Sequence, residues 1–214
     1  MFEIFGIPST ALFGQLLIGL INGSFYALLS LGLAVIFGML NIINFSHGAQ
    51  YMMGAFTAFL LLQYLEVNYF AALVLAPIIV GITGIIIERT KLGAYLRAAT
   101  ENPTLVRAFG INVPRMITLT YGFGVGLAAL AGVLAAPIYN VSPQMGSQLI
   151  IVVFAVVVIG GMGSIMGAIV TGFGLGMIEG LTKVFYPEAS NTVIFVIMAI
   201  VLLVRPAGLF GRAV

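Results

Sequence analysis

Apolar residues run almost unbroken along this chain, and the polar positions that interrupt them mark out its elements. Residues 11–40 hold no charged side chain and suffice for one crossing of a hydrocarbon core about 30 Å thick. The Asn22-Gly23 pair inside that run predicts a local irregularity. The polar interruption NIINFSHGAQ, residues 41–50, ends the first segment. Residues 51–65 form a second segment, closed by Glu66 and Asn68, and residues 69–87 a third, ending at Glu88-Arg89. After a water-compatible stretch come residues 116–136, a loop with Pro137, Asn140 and Pro143, and then residues 148–159. Gly160, Gly161 and Gly163 predict a break before residues 164–181. Residues 183–191 form a polar turn, and residues 192–204 are the last segment, stopped by Arg205-Pro206. The pattern predicts an all-α fold, a polytopic transmembrane helical bundle of about seven spans.

The longest polar stretch is RAATENPTLVRAFGINVPR, residues 97–115. Asn102-Pro103 reads as an N-cap followed by proline at the first helical position, and Gly110 as a stop after Phe109. That predicts a helix of about two turns, too short to be stable alone in water. Leu105, Val106 and Phe109 fall on one face of it, with Thr104 and Arg107 turned away. A short helix of this kind needs a surface to dock against, and a soluble partner supplies one.

Composition narrows the class further. Apolar residues make up 62% of the 214 and charged ones 7%, against about 25% charged in soluble domains. There is almost no room for a soluble domain. The net charge is +2, and its basic residues sit in loops, which bears on topology and gives no reason to expect nucleic acid. With no cysteine, disulfides and thiolate metal sites are excluded. No basic stretch with a cleavage site precedes the first segment, so a cleaved signal peptide is not expected. Arg89, Lys91, Arg97, Arg107 and Arg115 place the central segment on the cytoplasmic side, and Arg205 and Arg212 place the C-terminus there too. Three spans before Arg89 then put the N-terminus outside. Between Arg115 and Arg205 the count stays even only if residues 148–159 cross fully rather than re-enter.

Three further features carry candidate chemistry. Ser164, Ala168, Gly172, Gly176 and Gly180 recur every four residues, a small-residue stripe to which Gly163 and Gly167 add a flank. It packs either inside this chain's own bundle or against a second subunit or a pathway. The glycines at 160–163 lack a following Lys-Ser/Thr, so they are no phosphate loop. His47, the one histidine, stands with Asn41, Asn44, Ser46, Gly48 and Gln50, either as a wet interfacial loop or at a bend lining a polar path. Glu179 and Lys183 form an i,i+4 pair near the end of a span, close enough to the interface to satisfy itself. No grouping has catalytic or metal-ligand spacing, so neither catalytic residues nor a metal are expected, and the chain is not read as an enzyme.

Several stretches together resemble the membrane permease subunits of bacterial branched-chain amino-acid ABC importers. They are LINGSFYALLSLGLAVIFGMLNIINFSHGAQYMMGAF at residues 20–56, with an N-x-x-H-G signature at Asn44, His47 and Gly48, and TKLGAYLRAATENPTLVRAFGINVPR at residues 90–115. VIGGMGSIMGAIVTGFGLGMIE at residues 158–179 and RPAGLFGR at residues 205–212 complete the set. The resemblance implies one permease domain over residues 1–214, with N-terminal spans to 89, a cytoplasmic coupling segment at 90–115 and C-terminal spans from 116. It implies that Glu101, Asn102, Pro103, Leu105, Val106, Phe109, Gly110 and Asn112 seat on an ATPase subunit. The implied partners are a second homologous permease subunit, two cytoplasmic ABC ATPases, a periplasmic or extracellular amino-acid-binding protein, and the lipid of a bacterial or archaeal inner membrane. This chain would bind no cofactor, with ATP and Mg held by the partners. The chain departs from the family in one respect: Arg89 runs directly into Thr90, where such permeases carry two further spans. Related permeases for urea, short amides or other small amino acids fit the same pattern. A channel or carrier working without ATP, and a remnant that transports nothing, are the alternatives from other classes.

Overall fold

The computed structural model describes residues 3–4, 7–40, 44–88 and 113–211. Among them are α1 (Ser9–Leu40), α2 (His47–Tyr64), α3 (Tyr69–Glu88), α4 (Val113–Ala135), α5 (Met145–Gly160), α6 (Ile165–Phe185) and α7 (Val193–Val204). A 3-10 turn at Pro187–Ala189 follows α6, and two-residue strands at Glu3–Ile4 and Ile7–Pro8 pair antiparallel at the start of the chain. The helices match the seven apolar segments one for one. Four contain stretches long and apolar enough to cross a membrane: Ser9–Gly38, Tyr69–Ile86, Ile117–Ala135 and Ile165–Phe185. Of the other three, α5 has 16 residues and α7 has 12, which is about 24 Å and 18 Å of rise, and α2 has 18.

The helices overrun the hydropathy bounds at several points: α2 begins at His47, inside residues 41–50, α4 at Val113 rather than 116 and α5 at Met145 rather than 148. Asn22-Gly23 does not interrupt α1, which is continuous over 32 residues. Gly23 is there for contact, since a Cβ on it would lie 3.0 Å from the Phe173 Cα. Lys183 is not in a turn but in the last turn of α6, where a cation faces the negative end of the helix. The predicted break at 160–163 is present. Gly161 (φ +101°) and Gly163 (φ +80°) carry the chain through left-handed conformations, and Ser164 caps α6 by accepting from the Gly167 N–H at 3.0 Å.

The chain groups into two compact units, one of Met1–Leu31 with Ile151–Val214, the other of Gly32–Ile150. In the second unit α2, α3 and α4 pack through small residues. A Cβ on Gly54 would fall 2.2 Å from the Ala129 carbonyl oxygen, and one on Gly132 1.9 Å from that of Tyr51. Such backbone-to-backbone approach is how helices associate in lipid, where no hydrophobic force separates protein from solvent. Ala58, Leu61, Ala72, Ala76 and Val133 fill the space between these contacts.

In the first unit the segment after α7 folds back on the end of α5. The Leu209 N–H donates to the Ile159 carbonyl at 2.8 Å and the Phe210 N–H to that of Gly160 at 3.0 Å. These carbonyls belong to the last turn of a helix and have no partner within it. Gly208 (φ +81°) makes the turn that delivers the donors.

Candidate functional site

The polar interruption before α2 folds into a cluster built from its own backbone outward. Asn44 Oδ1 accepts the Ser46 N–H at 3.1 Å, a short Asx turn, and the Asn44 carbonyl accepts the His47 N–H. This turn starts α2 at His47, although Ser46 makes no side-chain cap. The Asn44 amide donates to Gln50 Oε1 at 3.3 Å, His47 Nδ1 lies 3.1 Å from the same oxygen, and Gln50 Nε2 donates to the Tyr121 hydroxyl of α4 at 3.1 Å. His47 is wholly buried, and its ring lies against Gly32 of α1, where a Cβ would stand 2.9 Å from both Cε1 and Nε2. Gly48 sets this turn directly on α5: a Cβ there would meet the Gly146 carbonyl at 2.3 Å. The wet-loop reading of His47 is therefore replaced by a buried polar network. Asn44, His47 and Gly48 are brought together, while Asn41 lies outside the described residues.

In the other unit, the small residues of α6 meet α1. Cβ atoms would contact Ala27 from Gly172 (2.6 Å), Gly23 from Gly176 (2.3 Å) and the Gln15 carbonyl from Gly180 (2.4 Å). The stripe is thus occupied by this chain's own first helix. Gly167 lies against Gly160 instead, at 2.2 Å from its carbonyl by the same measure, and Gly163 stands in the turn and not on the helix. Beside the seam, Glu179 is buried, 5% exposed, yet both its oxygens are engaged. Oε2 accepts the Tyr26 hydroxyl at 2.7 Å and Oε1 accepts the Lys183 ammonium at 2.5 Å. Side chains in helices lean toward the N-terminus. Gly180 lies level with Gln15 and Gly172 with Ala27, so the two helices run in opposite directions. Tyr26 and Glu179 therefore lean toward each other along the seam. Glu179 is internally bridged between helices, beyond the local pair with Lys183.

The residues expected to meet a soluble partner, Glu101, Asn102, Pro103, Leu105, Val106, Phe109, Gly110 and Asn112, lie outside the described residues. Among the described residues no group of three or more His, Asp or Glu could hold a metal ion. The sequence reading missed Tyr26 and Tyr121, the two hydroxyls that complete the clusters. A phenol inside an otherwise uncharged span, whose O–H needs a partner in lipid, was the available signal.

Comparison with known proteins places this arrangement. A family model described as the permease component of the branched-chain amino acid transport system matches in two stretches, residues 15–89 and 78–202. The high-affinity branched-chain amino acid transport permease LivH of Escherichia coli K12 is 38% identical over 130 residues, covering 60% of this chain and 42% of LivH. BraD of Pseudomonas aeruginosa, of the same description, is 35% identical over 171 residues, 79% of this chain and 53% of BraD. The fructose import permease FrcC of Rhizobium meliloti is 35% identical over 104 residues, 43% of this chain and 29% of FrcC. The chain thus spans about half or less of the length of these curated relatives. No solved structure matches it. Apolar helices joined through glycine contacts, the Asn44-His47-Gly48 turn with its buried histidine and a family match running from residue 15 to residue 202 converge on one assignment: this multi-pass membrane protein belongs to the permease-component family of branched-chain amino acid transport systems.

Proposed function

We propose that the chain is a transmembrane permease subunit of an ATP-driven ABC importer that moves branched-chain amino acids into the cytoplasm. The observation that carries this is the family match over residues 15–202 on a bundle of apolar helices. Its partners are a second permease subunit, two cytoplasmic ATPases and an external binding protein, and ATP with Mg is bound and hydrolysed by those ATPases, so the chain itself is no enzyme. The K/R-rich segment and Arg205 face the cytoplasm, and the N-terminus lies outside. Asn102, Leu105, Val106, Phe109, Gly110 and Asn112, with Glu101 and Pro103, seat the coupling helix on an ATPase. The Asn44-His47-Gly48 turn, with Asn41 just before it, lines the translocation pathway. The two matched stretches overlap at residues 78–89, next to the Arg89-Thr90 junction where the family resemblance implies two further spans.

The test is co-expression with the neighbouring transport genes, affinity capture, and reconstitution into liposomes. An ATPase subunit should co-purify, and labelled leucine should accumulate only with ATP and binding protein present. Capture without any ATPase overturns the reading. Accumulation blocked by fructose or urea but not by valine keeps the importer and moves the substrate, as FrcC's name allows. In the active assembly, Phe109→Asp should leave the protein in the membrane and ATP hydrolysis running while leucine uptake falls at least about tenfold. A charge on the apolar docking face loses more than the ~1.4 kcal/mol that a tenfold change represents. Normal uptake by that variant would show that Phe109 does not seat the ATPase.

A further inference from the structure

We infer that Gln50 is a positioning residue that holds His47 with its proton on Nδ1, leaving Nε2 as a hydrogen-bond acceptor. The backbone N–H of Ser46 can only donate. It points at the Asn44 side chain at 3.1 Å, so the atom it meets is the oxygen. The other end of the Asn44 amide is then nitrogen, and it meets Gln50 at 3.3 Å, so that end of Gln50 is its oxygen. The same oxygen lies 3.1 Å from His47 Nδ1, which must therefore carry a hydrogen. At its far end Gln50 donates to the Tyr121 hydroxyl at 3.1 Å, which agrees with that orientation. Rotating the Gln50 amide by half a turn would set two NH₂ groups against each other at Asn44. One backbone hydrogen thus fixes a tautomer through two side-chain amides.

The consequence is chemical. The Nε2 edge of His47 faces Gly32 of α1, where only a glycine leaves room for the ring. Held this way inside the packed site, Nε2 can accept a hydrogen bond but cannot donate one. This stands on the hydrogen bonds alone and does not depend on the transport reading.

His47 is the one histidine of the chain, so selective labelling gives a single imidazole. The experiment is nitrogen NMR of the full chain, labelled with ¹⁵N-histidine, purified without a histidine tag and held in lipid bilayers at neutral pH. A protonated Nδ1 with an unprotonated Nε2 is expected. The opposite tautomer, or a ring protonated on both nitrogens, overturns the inference. Gln50→Leu should lose the single-tautomer signature, and its persistence there would remove Gln50 from the role. Should that variant fail to fold, Asn44→Asp provides the second reading. Its two oxygens keep the Ser46 contact but present an acceptor to Gln50, which turns its amide and its NH₂ toward His47. The signature should then reverse to a proton on Nε2, and an unchanged Nδ1 signal in a folded Asn44→Asp protein sinks the relay.

Discussion

Replacing Gly176 by valine should leave little folded protein. A Cβ at this position lies 2.3 Å from the Cα of Gly23, 2.4 Å from its nitrogen and 2.5 Å from the Gly19 carbonyl oxygen. All three are backbone atoms of α1, so no rotamer change relieves them, and the two helices must part. In lipid, parting them forfeits the dispersion contacts that hold the pair, with no hydrophobic force to take their place. Overpacking against side chains costs about 1–3 kcal/mol. Against backbone along a continuous seam the upper end or more is expected, a large share of a typical stability of about 5–15 kcal/mol. Gly174 on the same helix is the control. Nothing lies within 4 Å of a Cβ there. Gly174→Ala should be neutral or slightly stabilising, because alanine is favoured over glycine in helices by about 1 kcal/mol. Thermal unfolding in detergent, followed by helical circular dichroism, separates the two. Equal melting of Gly176→Val and the parent would mean that α1 and α6 are not in backbone contact.

The second large effect belongs to Lys183. Its ammonium is the countercharge of a carboxylate that is buried against Tyr26. Lys183→Met leaves that carboxylate with a single hydroxyl donor. Removing one member of a buried pair costs about 3–5 kcal/mol, and since the Lys183 side chain is 33% exposed a loss of about 2–3 kcal/mol is the expectation. Adding Glu179→Gln should recover most of it, because the amide keeps a partner for the Tyr26 hydroxyl without a charge to compensate. The readout is the double-mutant cycle in the same unfolding assay. If the double variant is no more stable than Lys183→Met alone, the cost arises from the lysine stem and not from an uncompensated charge.

The four-residue spacing of Ala168, Gly172, Gly176 and Gly180 was plain in the chain, but what it would face was not. A stripe says that another backbone can approach, and the approaching residues Gln15, Gly19, Gly23 and Ala27 are some 150 positions away. From sequence, Asn22-Gly23 looks like a weakness in α1, because glycine lowers helix propensity in isolation. In the fold it is a contact, and α1 passes through it unbroken. Hydropathy alone puts Lys183 in a turn, because charge ends an apolar run, although a helix continues past a lysine that can pair with Glu179 one turn back. His47 looked like a wet loop because its neighbours are polar. Those same neighbours, Asn44 and Gln50, together with Tyr121, are what allow it to be buried.

By itself the sequence determined the class of solvent, the helical state, the number and order of the apolar segments and the break at Gly160–Gly163. Each follows from local chemistry: a backbone in hydrocarbon must close its own hydrogen bonds, and a run of apolar residues can do so only as a helix. Only the tertiary structure decided that the glycine stripe of α6 is covered by α1, that Tyr26 shares the carboxylate of Glu179, and that Gln50 stands between His47 and Tyr121. Those choices depend on how helices turn toward one another, and helices that are apolar on every side carry no record of the direction they will face.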